Sequence, residues 1–207
     1  MKTNSSMVEE GVVLSADIFN LNELIQPLIE QREPGLINSH ITSLLDLLTP
    51  LIRGGQGELI SFSGWGFLAL FNLAPDLRQD INNAIKTALE IMVALERLNF
   101  PLKLSAGIDW GDLFGARNGI DNNLLIGEPV ITAQLLQALA RDNEIVITNL
   151  VEPEDREFIK ELITAFGFKM LTQRVSLRDK KGKIIRIMEG GKEEPREFTD
   201  FFKNFLK

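Results

Sequence analysis

The run Val12-Val13-Leu14-Ser15-Ala16-Asp17-Ile18 constrains this chain more than any other segment. Residues 11–18 form a near-continuous apolar stretch without a helical period, which predicts a strand buried on both faces. Asp17 stands close to its end. Further on, Glu58-Leu59-Ile60-Ser61-Phe62-Ser63-Gly64-Trp65-Gly66-Phe67-Leu68-Ala69-Leu70-Phe71 reads as a hairpin pinched at Gly64 and Gly66. A buried strand ending in Asp beside such a hairpin is a frame that can hold a divalent cation for phosphoryl transfer. Mg²⁺ on phosphates is held by one or two protein carboxylates, and two-metal mechanisms share ligands between the ions. Where a second carboxylate is needed, the hairpin carries Trp65.

The remaining segments alternate around these two. Ile37, Ile41, Leu44, Leu45, Leu48, Leu51 and Ile52 fall at helical spacing over 36–53. Pro50 is expected to bend or end that helix, with Gly54-Gly55 as its stop. Residues 77–98 give the clearest helix, with Ile81, Ala84, Ile85, Ala88, Leu89, Met92, Leu95 and Leu98 on one stripe. Pro101 opens a strand through Asp109, closing a β-α-β-β-α-β, ferredoxin-like core. A short strand near 123–127 follows, then a helix started by Glu128-Pro129 and the strand 144–148. A helix over 153–166 turns Phe158, Ile159, Leu162, Ile163 and Phe166 inward, and the hairpin 168–189 turns at Asp179-Lys180-Lys181-Gly182. In the tail, Phe198, Phe201, Phe202 and Phe205 make a helical stripe that packs on the domain or on a partner. The expected class is α+β, a ferredoxin-like core with extra C-terminal strands and helices. The expected parts are a disordered tail over 1–10, a domain over 11–190 and a Phe-rich helix over 191–207.

Composition excludes several functions. A net charge of −7 argues against general nucleic-acid or anionic-membrane binding, which needs a basic surface. With no cysteine there is no disulfide framework, thiol nucleophile or zinc-cysteine site. The first residues lack the apolar stretch of a signal peptide, and no run approaches the ~20 apolar residues of a membrane span. The expected compartment is the cytoplasm.

Five segments in order resemble the catalytic domain of the class III adenylate/guanylate cyclases: Ala16-Asp17-Ile18, the hairpin 54–71, Gly107-Ile108-Asp109-Trp110-Gly111, the stretch from Ile126 to Leu136, and Asn143-Glu144-Ile145-Val146-Ile147. The resemblance spans about residues 11–190 and implies the nucleotide cyclase-like fold. It also implies roles. The family's first metal Asp corresponds to Asp17, its second to Trp65, and the base-recognising Lys to Ser61. The base-recognising Asp corresponds to Glu128, the ribose-positioning Asn to Ile131, and the transition-state Arg to Leu135. Replacing Arg by Leu removes a bidentate cationic clamp and leaves developing phosphate charge unstabilised. Cyclisation is almost entirely positioning and electrostatics, so such losses compound.

The expectation is therefore a catalytically inactive cyclase-like domain, a pseudoenzyme serving as a dimeric signalling or scaffolding module. The resemblance implies a homodimer or a heterodimer with a cyclase-like partner. The alternative is a ligand- or nucleotide-sensing module with Trp65, Ser61, Glu128 and Ile131 lining the remodelled cleft. A residual metal-dependent cyclase, or a phosphohydrolase using Asp17 and Glu128, comes last. No cofactor is expected, with Mg²⁺ or Mn²⁺ at Asp17 only if residual nucleotide binding exists. Trp65 and Trp110 read as apolar filling or as stacking surfaces, and Asp109 and Asp112 as turn residues. His40 reads as a packing or surface residue, Gly54-Gly55-Gln56-Gly57 as a helix stop and Lys180-Lys181-Gly182-Lys183 as a solvated tip.

Overall fold

The computed structural model describes residues 7–99, 102–117, 123–148, 153–177 and 180–190. Strand β1 (Met7–Phe19) leads into helices α1 (Leu21–Glu30) and α2 (Pro34–Gly54). The hairpin β2 (Gly57–Ser63) and β3 (Gly66–Phe71), helix α3 (Leu77–Glu96) and strand β4 (Lys103–Arg117) complete the first half. The second half comprises β5 (Asn123–Ile126), α4 (Glu128–Leu139), β6 (Glu144–Thr148), α5 (Pro153–Ala165), β7 (Phe168–Leu177) and β8 (Lys180–Glu189). The sheet order is β2-β3-β1-β4-β6-β8-β7, with β5 paired to β4. β1 lies antiparallel to both β3 and β4, as the ferredoxin-like arrangement requires. The mixed α+β class expected from the sequence is the one observed.

Strand parity divides the core in two. Val12, Leu14, Ala16 and Ile18 of β1, Phe67, Ala69 and Phe71 of β3, and Leu104, Ala106 and Ile108 of β4 face one side. There they meet the apolar stripes of α2 and α3, including Leu44, Leu48, Ile52, Ala84, Ile85, Ala88, Leu89, Met92 and Leu95. On the opposite face Val13, Leu113 and Ala133 form a smaller cluster with Leu68, Leu70, Leu125 and Val130 beneath α4. The central strand is therefore covered on both faces, by α2 and α3 on one and by α4 on the other.

Several local expectations are corrected. Helix α1 is an addition to the expected elements, with Leu21, Leu24, Ile25 and Leu28 on its inward face. The ring of Pro50 interrupts one helical bond, yet α2 runs on to Gly54. Its three buried residues, Leu44, Leu48 and Ile52, hold it to the core on both sides of the proline. β1 begins at Met7, so residues 7–10 belong to the sheet, not to a tail. Phe158 is 51% exposed, because α5 is held by Ile159 and Ile163, a face that leaves 158 outside. Strand β4 does not stop at Asp109; it pairs with β1 as far as Gly115, so neither Asp109 nor Asp112 is a turn residue. Residues 1–6, Pro101, Asp179 and the Phe-rich segment 191–207 lie outside the described residues. Among the described residues no helix is long and apolar enough to cross a membrane.

Two contacts seat α4. A Cβ at Gly107 would collide with the backbone carbonyl of Ala133 and the backbone N–H of Gln137, so the helix backbone lies directly on β4. At the helix C-terminus Arg186, fully buried on β8, donates from Nη2 to the carbonyl of Leu139 at 3.1 Å. The same guanidinium forms a bidentate pair with buried Glu144, Nε to Oε1 at 2.6 Å and Nη2 to Oε2 at 2.5 Å. Burial of such a pair is tolerated because its hydrogen bonds are filled: Glu144 also accepts the Arg141 N–H at 2.8 Å. Gly107→Ala should lower stability by about 3 kcal/mol in urea unfolding, since backbone atoms cannot step aside. Gly54→Ala, where nothing lies within 4 Å of an added Cβ, should be neutral or stabilising by up to about 1 kcal/mol.

Candidate functional site

The candidate site lies on the α4 side of the sheet, where odd-numbered residues of β1 and β4 point. Asp17 ends this row on β1, opposite Gly66 of β3 and Ser105 of β4. The missing side chain at Gly66 makes its room: a Cβ there would lie 2.8 Å from Asp17 Oδ1 and 2.5 Å from the Ala16 carbonyl. The hairpin apex is tied to β1 by the Ile18 N–H, which donates to the carbonyl of Trp65 at 2.8 Å. Asp17 and Trp65 are therefore neighbours, and the indole is 37% exposed. Partial burial raises the Asp17 carboxyl above its ordinary 3.8.

The other sequence candidates are spread out. Ser61 is exposed on the edge strand β2, paired with Leu68, two strands from β1. Glu128 and Ile131 stand on the first turns of α4, whose Pro129 packs against Gly111 of β4. Gly111 pairs with Gly11, six positions along β1 from Asp17, or about 20 Å at the rise of an extended strand. Within one chain, then, Asp17 meets Trp65, while Glu128 and Ile131 stand apart from both. Asp109 pairs with Val13, four positions from Asp17, about 13 Å along the strand. That separation keeps Asp109 and Asp17 from forming a carboxylate pair.

Asp109 is the residue that sequence reasoning misplaced. It is 7% exposed and accepts a hydrogen bond from Thr148 Oγ1 of β6 at 2.8 Å. Burial pushes its carboxyl up to about 6, against the lowering effect of bonds from Thr148, the Trp110 N–H and Thr132 of α4. The negative charge of Glu128 raises it further. Strand parity was the available signal. In Gly107-Ile108-Asp109-Trp110-Gly111 the Asp shares a face with two glycines, whereas Ile108 and Trp110 pack on the main core.

No family model and no curated protein matches the sequence. Solved structures do. The adenylyl cyclase CyaB from P. aeruginosa superimposes with a TM-score of 0.71 at 16% identity, covering 92% of this chain and 100% of that one. The non-canonical dimeric guanylyl cyclase domain of the RhoGC fusion protein from Blastocladiella emersonii gives 0.68 at 15%, covering 89% and 99%. The adenylate/guanylate cyclase/hydrolase from Silicibacter pomeroyi gives 0.63 at 21%, again covering 89% and 99%. At these identities the likeness establishes the fold alone: the chain adopts the fold seen in these nucleotide cyclase domains.

The carboxyl of Asp109 gives this site a pH signature. Between about 6 and the ordinary 3.8 the folded chain holds a proton that the unfolded chain releases. Its contribution therefore opposes folding above about 6 and is relieved as the pH falls toward 4. In denaturant titrations the wild type should gain on the order of 2–3 kcal/mol on the Asp109→Asn variant between pH 7.5 and 4. A constant difference between the two would contradict this.

Proposed function

We propose that this chain is a cyclase-fold module that does not cyclise nucleotides and works as a dimeric signalling or scaffolding domain. The observation that carries the reading is Trp65 at the hairpin apex beside Asp17. An indole cannot ligate a hard cation, and Asp17 alone does not make the shared ligand set that two-metal chemistry needs. On α4, Ile131 is 41% exposed where the resemblance calls for an amide, and half-buried Leu135 replaces a guanidinium. Loss of one electrostatic contact of this kind costs on the order of 10²–10³ in rate elsewhere, so several together leave little catalysis.

Self-association is supported by apolar groups left bare on the paired strands β4 and β5. Phe114 and Ile126 face each other across that pair, and both are exposed. A partner that covers them would relieve a cost that a lone chain carries. The partner is a second copy of this chain or a cyclase-like chain that supplies the other half of the interface.

A second reading is favoured by one observation, the partly exposed indole of Trp65. A ring stacked on it would gain about 0.5–1.5 kcal/mol beyond burial. The cleft would then sense a ligand, with Ser61, Glu128 and Ile131 as further contacts contributed across a dimer.

One preparation separates these readings. Incubated with Mn²⁺ and ATP or GTP, the purified protein should form no cyclic nucleotide above the blank, while light scattering reports a dimer. Cyclic product abolished by Asp17→Ala would sink the non-catalytic reading, and a strict monomer at high micromolar concentration would sink the dimer. Nucleotide quenching of tryptophan fluorescence that vanishes in Trp65→Phe would move the conclusion to the sensing module.

A further inference from the structure

Asp109 occupies an unusual place between helix and sheet. On the β4 face beneath α4 the odd positions read Ser105, Gly107, Asp109, Gly111. Gly107 lies under the backbone of Ala133 and Gln137, and Gly111 lies against Pro129, 3.3 Å from where its Cβ would be. Between these two points of close approach stands the carboxyl of Asp109, bonded to Thr148 of β6 and to Thr132 of α4. Pro129 thus touches the strand at Gly111, and the short side chain of Asp109 lies between the next turn of α4 and β4.

The two halves of the helix are held differently. The C-terminal half is fixed by Gln137, whose Nε2 donates to Ser105 Oγ at 3.0 Å, and by Arg186 on the Leu139 carbonyl. Bonds from the neutral hydroxyls of Thr132 and Thr148 meet Asp109, while the charged group acting on it from α4 is Glu128, of like sign. β1 faces Asp109 with Val13, and β6 faces it with Thr148. No countercharge meets the carboxylate from these elements. A buried carboxylate so placed gains by drawing in water or by moving away from the second negative charge.

We propose that the protonation state of Asp109 sets how closely the N-terminal half of α4 sits on β4. With the carboxyl neutral, Pro129 lies down on Gly111 and Thr132 stays bonded. With the carboxyl ionised, the turn carrying Glu128 and Ile131 lifts to hydrate the charge, while the turn ending at Leu139 stays anchored. The helix is then a pH-sensitive element that changes how Glu128 and Ile131 are presented. This goes beyond the non-catalytic reading above and does not depend on it.

Hydrogen exchange resolved by residue tests the device in the full chain, with rates corrected for the intrinsic effect of pH. From pH 7.5 to pH 5, protection of the amides of residues 131–134 should rise roughly tenfold, one decade per unit of displaced titration. Protection of residues 136–139 should stay constant. In Asp109→Asn the N-terminal amides should be protected at both pH values. Should that variant fail to fold, Glu128→Gln on the surface decides: removing the like charge should move the midpoint of the wild-type response to lower pH. Thr148→Val, which removes a bond to the ionised form, should move it higher. A response that survives Asp109→Asn overturns the proposal. So does one that involves both halves of α4 equally, or one whose midpoint ignores Glu128→Gln.

Discussion

The contact on which the rest of this structure depends is the seat of α4 on β4. Because Gly107 has no side chain, the backbone of Ala133 and Gln137 can lie directly on the strand. That approach closes the second face of the sheet and buries Val13 and Leu113 with Ala133. Without it the run Val12–Ile18 would be covered on one face only, and β1 could not be the central strand that its composition demands. The Arg186–Glu144 pair completes the seat by joining β6 and β8 to the end of the helix.

Much of this was legible in the sequence because it is written in periodicity. The stripe from Ile81 to Leu95 on α3 and the apolar run of β1 fall where burial places them. What was not legible depends on partners distant in sequence. Pro50 looks like a helix stop until three buried residues hold α2 around it. Asp109 next to Trp110-Gly111 looks like a turn, because only pairing with β1 shows that β4 continues to Arg117. Arg186 and Glu144 are 42 residues apart, and nothing local announces that they meet. For the candidate site, the closeness of Asp17 and Trp65 follows from one hairpin and one strand. The distance of Glu128 and Ile131 from them follows from the path of α4, which no local pattern encodes.

The fold and the chemistry of the candidate site have separable physical causes. Glycines at 66, 107 and 111, and alternating apolar positions, specify how strands and helix approach one another, and they keep the cyclase-domain frame. The polar groups that would act on a nucleotide triphosphate are not required by that frame. Trp65 at the hairpin apex, and Ile131 and Leu135 on α4, stand outside the buried core clusters. The frame and the polar groups are thus specified by different residues, and Phe114 and Ile126 stand exposed on that frame.

At the hairpin apex next to Asp17 stands Trp65, where two-metal chemistry needs a second carboxylate. A crystal structure grown with Mn²⁺ and a non-hydrolysable ATP analogue tests this reading most directly, through the anomalous signal of manganese. With Asp17 as the lone carboxylate there, no manganese peak should appear at it. A manganese ion bound by Asp17 and the phosphates of the analogue would contradict it.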